Sequence, residues 1–366
     1  MSGPSGSQAN TDFSDAGQPL EPLGLERYFR KLIIGIVFAV LVASALALFG
    51  DVRDLGDAFR NFKWWLAGPI LLLTCFNYGL RWVKWEIYLR VLSLPRPGLW
   101  DSLCIYLSAF SMSVTPGKVG ELIKAILMRR QTGAPVPKTT AIIAAERITD
   151  GLALLALAAV GLLKFNYGRP LLAVAFVLAV VVMVVLQRPA LTAAVMARTA
   201  GLPLVGGFVE HLSGFFSASN VLFRPWLVVG MVVLGIISWF GECVAFFLVL
   251  WGLGFDATWR LLLVATFVLA VSSVFGAISM LPGGLGVAEA SVAGMLLILL
   301  EDDGMSRAVA TAATLIIRFA TLWFAVLIGF AALALISRKI SASASAGQRD
   351  GIATGPSPAR LGDPLA

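Results

Sequence analysis

The sequence predicts an all-α membrane protein with many crossings, and three observations carry that prediction. Of 366 residues, 58% are hydrophobic and 13% charged, against roughly 25% charged in an ordinary soluble domain. The mean hydropathy is +0.88. Apolar runs near or above the ~20 residues that cross a bilayer core as a helix recur at residues 32–50, 64–83, 140–163, 171–186, 226–250, 259–281 and 308–336. Barrel strands need only ~10 residues and alternate in polarity, whereas a backbone in lipid must otherwise bond to itself, so these runs read as helices.

Composition also excludes several chemistries. Cys75, Cys104 and Cys243 lie singly in apolar segments and His211 is the sole histidine, so neither a disulfide frame nor a metal site is expected. No GxxxxGK[ST] loop is present, so nucleotide-driven chemistry is not expected, and no cofactor is expected. The net charge of +7 lies beside apolar runs, which points to an anionic lipid surface and not to nucleic acid. Residues 1–24 are rich in Gly, Ser, Pro and Asp and read as a disordered cytoplasmic amino terminus, with no cleavage-type site behind a short apolar core. Residues 341–366 read as a disordered carboxy-terminal tail. Between them, residues 25–340 read as one membrane domain.

The stretch SVTPGKVGE at 113–121 returns as SMLPGGLGV at 279–287, both fitting SxxPGxxG. Arg27, Arg30 and Lys31 precede the first run, so the amino terminus is expected in the cytoplasm, and the second span returns inward to Arg81, Lys84 and Arg90. A full crossing at 101–115 would then carry Lys118, Lys124, Arg129, Arg130 and Lys138 outside, against the positive-inside rule. A hairpin that enters at 102–114, turns at Pro116 and Gly117 and leaves as a helix over 119–128 keeps them inside. The second motif is reached from the other side, with a returning helix over 287–300 ending in Glu301, Asp302 and Asp303. This gives six spans plus two re-entrant hairpins, with both termini cytoplasmic; eight full spans is the alternative. Residues 64–163 and 226–336 then form two inverted repeats, an architecture of secondary transporters.

A PGxxG break ends one helix and starts another whose first amides lack partners. Pro116, Gly117, Lys118 and Gly120, with Pro282, Gly283, Gly284 and Gly286, are therefore expected to offer amide ends to an anionic head group. The bland reading is that the glycines only permit close packing. Charges inside spans cost about 2.5–3.5 kcal/mol each on insertion scales and mark partners or water. Glu121, Lys124, Glu146, Arg147, Asp150, Glu289 and Arg318 are such charges and complete the expected substrate-binding set; Glu242 is another. Glu146 and Asp150 share a helix face beside Arg147, so mutual neutralisation is the structural alternative to a head-group or proton-relay site. Trp64, Trp65, Trp82, Trp85, Trp226, Trp251 and Trp259 read as interfacial anchors, and residues 187–223 as a loop resting on the cytoplasmic interface.

TPGKVGELIKAILMRRQTG, AAERITDG and LPGGLGVAEASVAG, in this order over residues 25–340, resemble the transmembrane region of the lysylphosphatidylglycerol synthase family of flippase-like proteins. The resemblance implies a bacterial inner-membrane protein that moves a lipid or lipid-linked head group between leaflets. Some members are associated with hopanoid or isoprenoid lipid pathways, others with archaeal dolichol-linked glycosylation. About thirty residues follow Ile336, fewer than an aminoacyl-transfer domain needs, so translocation without lysyl transfer is the expectation. The substrate class is an anionic phospholipid or an isoprenoid or hopanoid lipid, and lipid-biosynthesis enzymes are possible partners. Two other functions compete: an intramembrane lipid-modifying enzyme using Glu121, Glu146 or Asp150 as acid or base, disfavoured by the missing nucleophile and metal, and an accessory scaffold of a lipid-synthesis complex.

Overall fold

The computed structural model describes residues 52–115, 120–162 and 206–353 continuously, with isolated positions between 41 and 44 and between 170 and 181. The segment 1–24, most of the runs at 32–50 and 171–186, Pro116, Gly117, Lys118 and the last thirteen residues lie outside the described residues. Among those described, every regular element is helical.

A short amphipathic helix α1, Val52–Asn61, leads through a 3-10 turn at Trp64–Leu66 into α2, Ala67–Val91. The next helix, α3 at Leu99–Ser108, tightens into a 3-10 turn at Ala109–Met112 and stops at the first motif; α4, Ile123–Thr132, leaves it. Then come α5, Val136–Leu162, and α6, Gly206–Leu222. Helix α7, Pro225–Gly252, starts with proline at its first position, where the missing N–H has no helical partner to lose. Helices α8, Trp259–Ile278, and α10, Arg307–Arg318, are capped by Thr258 and Ser306, whose hydroxyls accept from the Leu261 and Val309 amides. Between them α9, Val287–Leu299, leaves the second motif. After α10 a π turn at Phe319–Trp323 joins α11, Phe324–Ala353. Helix α11 runs on past residue 340 through alternating serine and alanine.

Among the described residues, four segments are long and apolar enough to cross a membrane: Pro225–Gly252, Trp259–Ile278, Pro282–Leu299 and Arg307–Ala342. Helices α2 and α5 have 25 and 27 residues, but each carries buried charges mid-length. The apolar stretch Leu99–Met112 reaches only about 20 Å at 1.5 Å per residue, short of the ~30 Å core.

Helices α2 and α7 pack antiparallel along their length. Lys63 N donates to Gly252 O at 3.1 Å near one end. At the middle Asn77 Nδ2 donates to Ser238 O at 3.0 Å while Ser238 Oγ donates to Asn77 O at 3.2 Å. Helix α5 packs on α6, α7 and α8, and α11 packs on α3 and its 3-10 turn. The residues expected as an interfacial loop at 206–222 are instead α6, with Ala218, Ser219 and Leu222 buried. Trp85, expected as an interfacial anchor, is fully buried among Tyr88, Ile105 and Met128.

The two motifs meet. Val114 and Leu285 share a small apolar cluster with Val326, and a Cβ on Gly283 would lie 3.7 Å from Ser113 O. The same junction demands a glycine on α11: a Cβ at Gly329 would fall 2.2 Å from Ser111 N and 2.7 Å from Phe110 C. Gly329→Leu is therefore expected to destabilise the protein by at least the ~1–3 kcal/mol of ordinary overpacking. Gly230→Ala, where nothing lies within 4 Å, is expected to be neutral or stabilising by up to ~1 kcal/mol. Thermal unfolding of both variants in detergent checks the contrast.

Candidate functional site

Two charged constellations stand on either side of the junction. In the first, α5 presents Glu146, Arg147, Thr149 and Asp150. Lys124, from α4, sits 2.6 Å from Glu146 Oε2, and Arg147 Nε lies 3.3 Å from Glu121 Oε2. Asp150 gathers three cations: Lys84 at 2.6 Å, Arg81 at 3.4 Å and Arg147 at 3.6 Å. Lys84 also donates to Thr149 Oγ1 at 3.1 Å. The Lys124 ammonium lies 4.8 Å from the ring centroids of both Trp85 and Tyr106, and the Arg81 guanidinium faces Phe110 and Trp239 at 5.6 and 5.5 Å. Such cation–ring contacts replace part of the water these charges lose.

Among the described residues this group holds four cations, Arg81, Lys84, Lys124 and Arg147, against Glu121, Glu146 and Asp150. The excess is positive. Arg147 is its accessible edge, with 28% of its side chain exposed, whereas Lys84 and Lys124 show 2%. Gly120 has no room for a side chain, since a Cβ would lie 2.2 Å from Met112 Cβ; its amide donates to Thr115 Oγ1 at 2.9 Å.

The second constellation surrounds the second break. Gly283, Gly284 and Gly286 have φ of +62°, +67° and +86°, the region that favours glycine. A Cβ on Gly284 would fall 2.9 Å from Gly276 Cα. Three amides at this break are satisfied from within. Gly284 N donates to Leu281 O, Leu285 N to Pro282 O, and Gly286 N to Glu289 Oε2 at 2.6 Å. The other Glu289 oxygen accepts from Arg318 Nε at 2.5 Å, and the same guanidinium donates to Gly283 O at 2.8 Å. The π turn that follows Arg318 leaves a carbonyl outside the helical ladder, and Tyr78 Oη donates to Thr321 O at 2.6 Å.

Among the described residues, Glu289 and Arg318 are the charged groups lining a cavity of about 480 Å³ whose other described lining residues are apolar or aromatic. Phe59, Phe62, Trp64 and Ile70 form one wall, and Phe319 and Trp323 the other. The volume lies within the roughly 300–1,000 Å³ of small-molecule sites.

The structure thus brings Gly120, Glu121, Lys124, Glu146, Arg147 and Asp150 together, and separately Pro282, Gly283, Gly284, Gly286, Glu289 and Arg318. Pro116, Gly117 and Lys118 fall outside the described residues. Sequence reasoning missed Arg81, Lys84, Trp85 and Tyr106. The signal was Arg81, Lys84 and Trp85 on one helical face, which topology reasoning assigned to the cytoplasmic boundary.

Removing one partner of a buried ion pair strands the other, at a cost of about 3–5 kcal/mol, whereas removing both is often nearly neutral. Glu146→Gln is expected to lower stability by about that amount by leaving Lys124 unneutralised, and Lys124→Met with Glu146→Gln to recover most of it. Thermal unfolding of the two single variants and the double variant in detergent measures the coupling.

The sequence model of the family described as the lysylphosphatidylglycerol synthase TM region matches residues 32–329. The chain is also similar to a UPF0104 membrane protein of Methanothermobacter thermautotrophicus. The two are 23% identical over 342 residues, covering 85% of this chain and 97% of that protein. With long apolar helices of membrane-spanning length and the family match over most of its residues, the chain is a multi-pass membrane protein that belongs to the lysylphosphatidylglycerol synthase transmembrane-region family.

Proposed function

We propose that the protein moves an amphiphilic lipid with an anionic head group between the leaflets of a bacterial inner membrane. One observation carries this reading: the Glu289–Arg318 pair lies beside the second helix break in a cavity whose other walls are aromatic and aliphatic. An amphiphile has the same division, a charged head and a hydrocarbon body. The family membership agrees with a lipid-related role in a membrane.

Several correspondences support two inverted repeats. Each half carries a PGxxG break, a glutamate beside the start of the returning helix and an arginine on the next span that pairs with it, Glu121 with Arg147 and Glu289 with Arg318. Helix α5 packs on α8 of the second hairpin as α11 packs on α3 of the first. Asn77 and Ser238 hold each other reciprocally, and each lies fourteen residues before the end of its helix. A twofold relation in the membrane plane accounts for all three. The short α3 and α4 favour a re-entrant first hairpin, with both termini on the cytoplasmic side.

In this mechanism the head group binds at the junction of the breaks. Arg318 receives its anionic oxygen on one side and Arg147 on the other, with Gly120, Gly283, Gly284 and Gly286 allowing close backbone approach and Pro116, Gly117 and Lys118 completing the first break. Lys124, Glu146 and Asp150 hold Arg147 in place. Glu289 occupies the Arg318 guanidinium when the site is empty, so a head group enters by displacing a carboxylate. The hydrocarbon stays among Phe59, Phe62 and Trp323 while the halves rock. With no nucleotide loop in the sequence, movement is passive or ion-coupled.

Arg318→Gln and Arg147→Gln are each expected to abolish movement of a fluorescent anionic phospholipid in reconstituted vesicles, read by dithionite quenching, while the variants remain folded by circular dichroism. Unchanged rates in both variants would falsify the reading.

A further inference from the structure

Compared position by position as inverted repeats, the two halves differ in the groove beside each arginine. Asn77 and Ser238 correspond at a spacing of 161, and Arg147 and Arg318 at 171. At these spacings the cavity residues Phe62, Ile70 and Leu71 correspond to Phe223, Met231 and Val232. Ile316, Phe319 and Trp323 correspond to Ala145, Ile148 and Leu152.

In the second half these positions enclose the cavity of about 480 Å³. In the first half they are packed. Phe223 and Ala145 are fully buried and Met231 is 6% exposed, all within one apolar cluster that includes Ala218 and Leu222 of α6, with Ile148, Leu152 and Val232 against it. Helix α6 lies along α5 and fills the groove that its counterpart leaves open. The counterpart of α6 is α1: each precedes the helix of the central α2–α7 pair, and α1 lies on α10 as α6 lies on α5. Phe59 of α1 and Phe62, just beyond its end, reach the cavity wall without filling it.

We propose that α6 and α1 are matched gates over two equivalent grooves for the hydrocarbon of the transported amphiphile, and that the structure holds the first groove shut by α6 and the second open under α1. The proposal rests on the translocation reading. Passage requires α6 to lift from α5, exposing the groove that leads to Arg147, as α1 settles over the one that leads to Arg318. The groove under α6 is thus a latent second binding site, apolar along Phe223, Met231 and Leu152 and charged at the Glu121–Arg147 end.

The geometry supplies a lock. A Cβ on Gly214 of α6 would lie 3.3 Å from Pro137 Cβ at the start of α5, close to the ~3.5–4.5 Å of a disulfide. In a background with Cys75, Cys104 and Cys243 replaced by Ala, Gly214→Cys with Pro137→Cys is expected to oxidise readily, confirmed by mass spectrometry. Met231→Cys in the same chain reports the groove through labelling by N-ethylmaleimide in vesicles. Without the bond the reporter is expected to label slowly, and the same chain with Met231 retained to move lipid. With it both are lost, and a reductant restores both. A reporter that labels equally in the locked and reduced protein overturns the gate, and so does a pair that fails to oxidise. If the lock controls labelling but no lipid moves in either form, the gate stands and the translocation reading fails.

Discussion

A backbone that stops being helical at membrane depth has to find its partners inside the protein, and this constraint organises the molecule. Where the structure describes them, the two SxxPGxxG segments pack against each other and against α11. Ser113 lies beside Gly283, Val114 beside Leu285, and the bare Gly329 backbone against Ser111. At the second break the Gly284 and Leu285 amides are taken within the turn and the Gly286 amide by Glu289, and Arg318 returns to take the Gly283 carbonyl. Helix lengths, the glycines at positive φ and the position of α11 all follow from closing these ends.

The same packing brings charge into the protein interior, and charge there is held by opposite charge. Asp150 serves three cations because α5 faces α2 at the level where Arg81 and Lys84 point inward. Lys124 has a carboxylate and two aromatic rings. A group this thoroughly compensated is a poor ligand site at its centre, because its charges are already spent on one another. Only its edge, Arg147, and its counterpart Arg318 retain exposure, with 28% and 19% of their side chains accessible. The sequence grouped all these residues as equivalent binding candidates. Burial separates the scaffold, Lys124, Glu146 and Asp150, from the two arginines that remain able to meet a ligand.

What could be read from the sequence follows from which signals are local. Helices at 225–252 and 259–278 are legible because apolar length alone specifies them. The breaks are legible because proline and glycine act on their own turn. The pairing of Glu146, Arg147 and Asp150 was visible as one helix face. Arg81 and Lys84 were misplaced because a cation near a span end has two explanations, the cytoplasmic boundary or a distant carboxylate, and only the approach of α5 decides between them. Trp85 failed for the same reason. Helix α6 escaped because its apolar residues serve a neighbouring helix and not lipid, so no membrane-length run announces it. Glu289 was recognised as charged, but its return to the Gly286 amide needs the backbone angles of the turn.

The behaviour of Glu289 bears on how such a site can work without a nucleotide. A guanidinium left bare in an apolar cavity would carry a large desolvation cost and would resist reorientation through the membrane. With Glu289 across it the empty site is close to neutral. On the translocation reading an anionic head group takes over the same guanidinium, so the arginine exchanges one anion for another and is never left alone. The released carboxylate must then be solvated or protonated, which ties head-group entry to water or to a proton reaching the break. In the first half Glu121 stands in the same relation to Arg147, but there the arginine also touches Asp150. Release of Glu121 would leave Arg147 still partly neutralised. On the translocation reading the two halves then hold an anion with different strengths, and an asymmetric pair of sites gives a passive carrier a preferred resting side, the one with its groove already open beside Arg318.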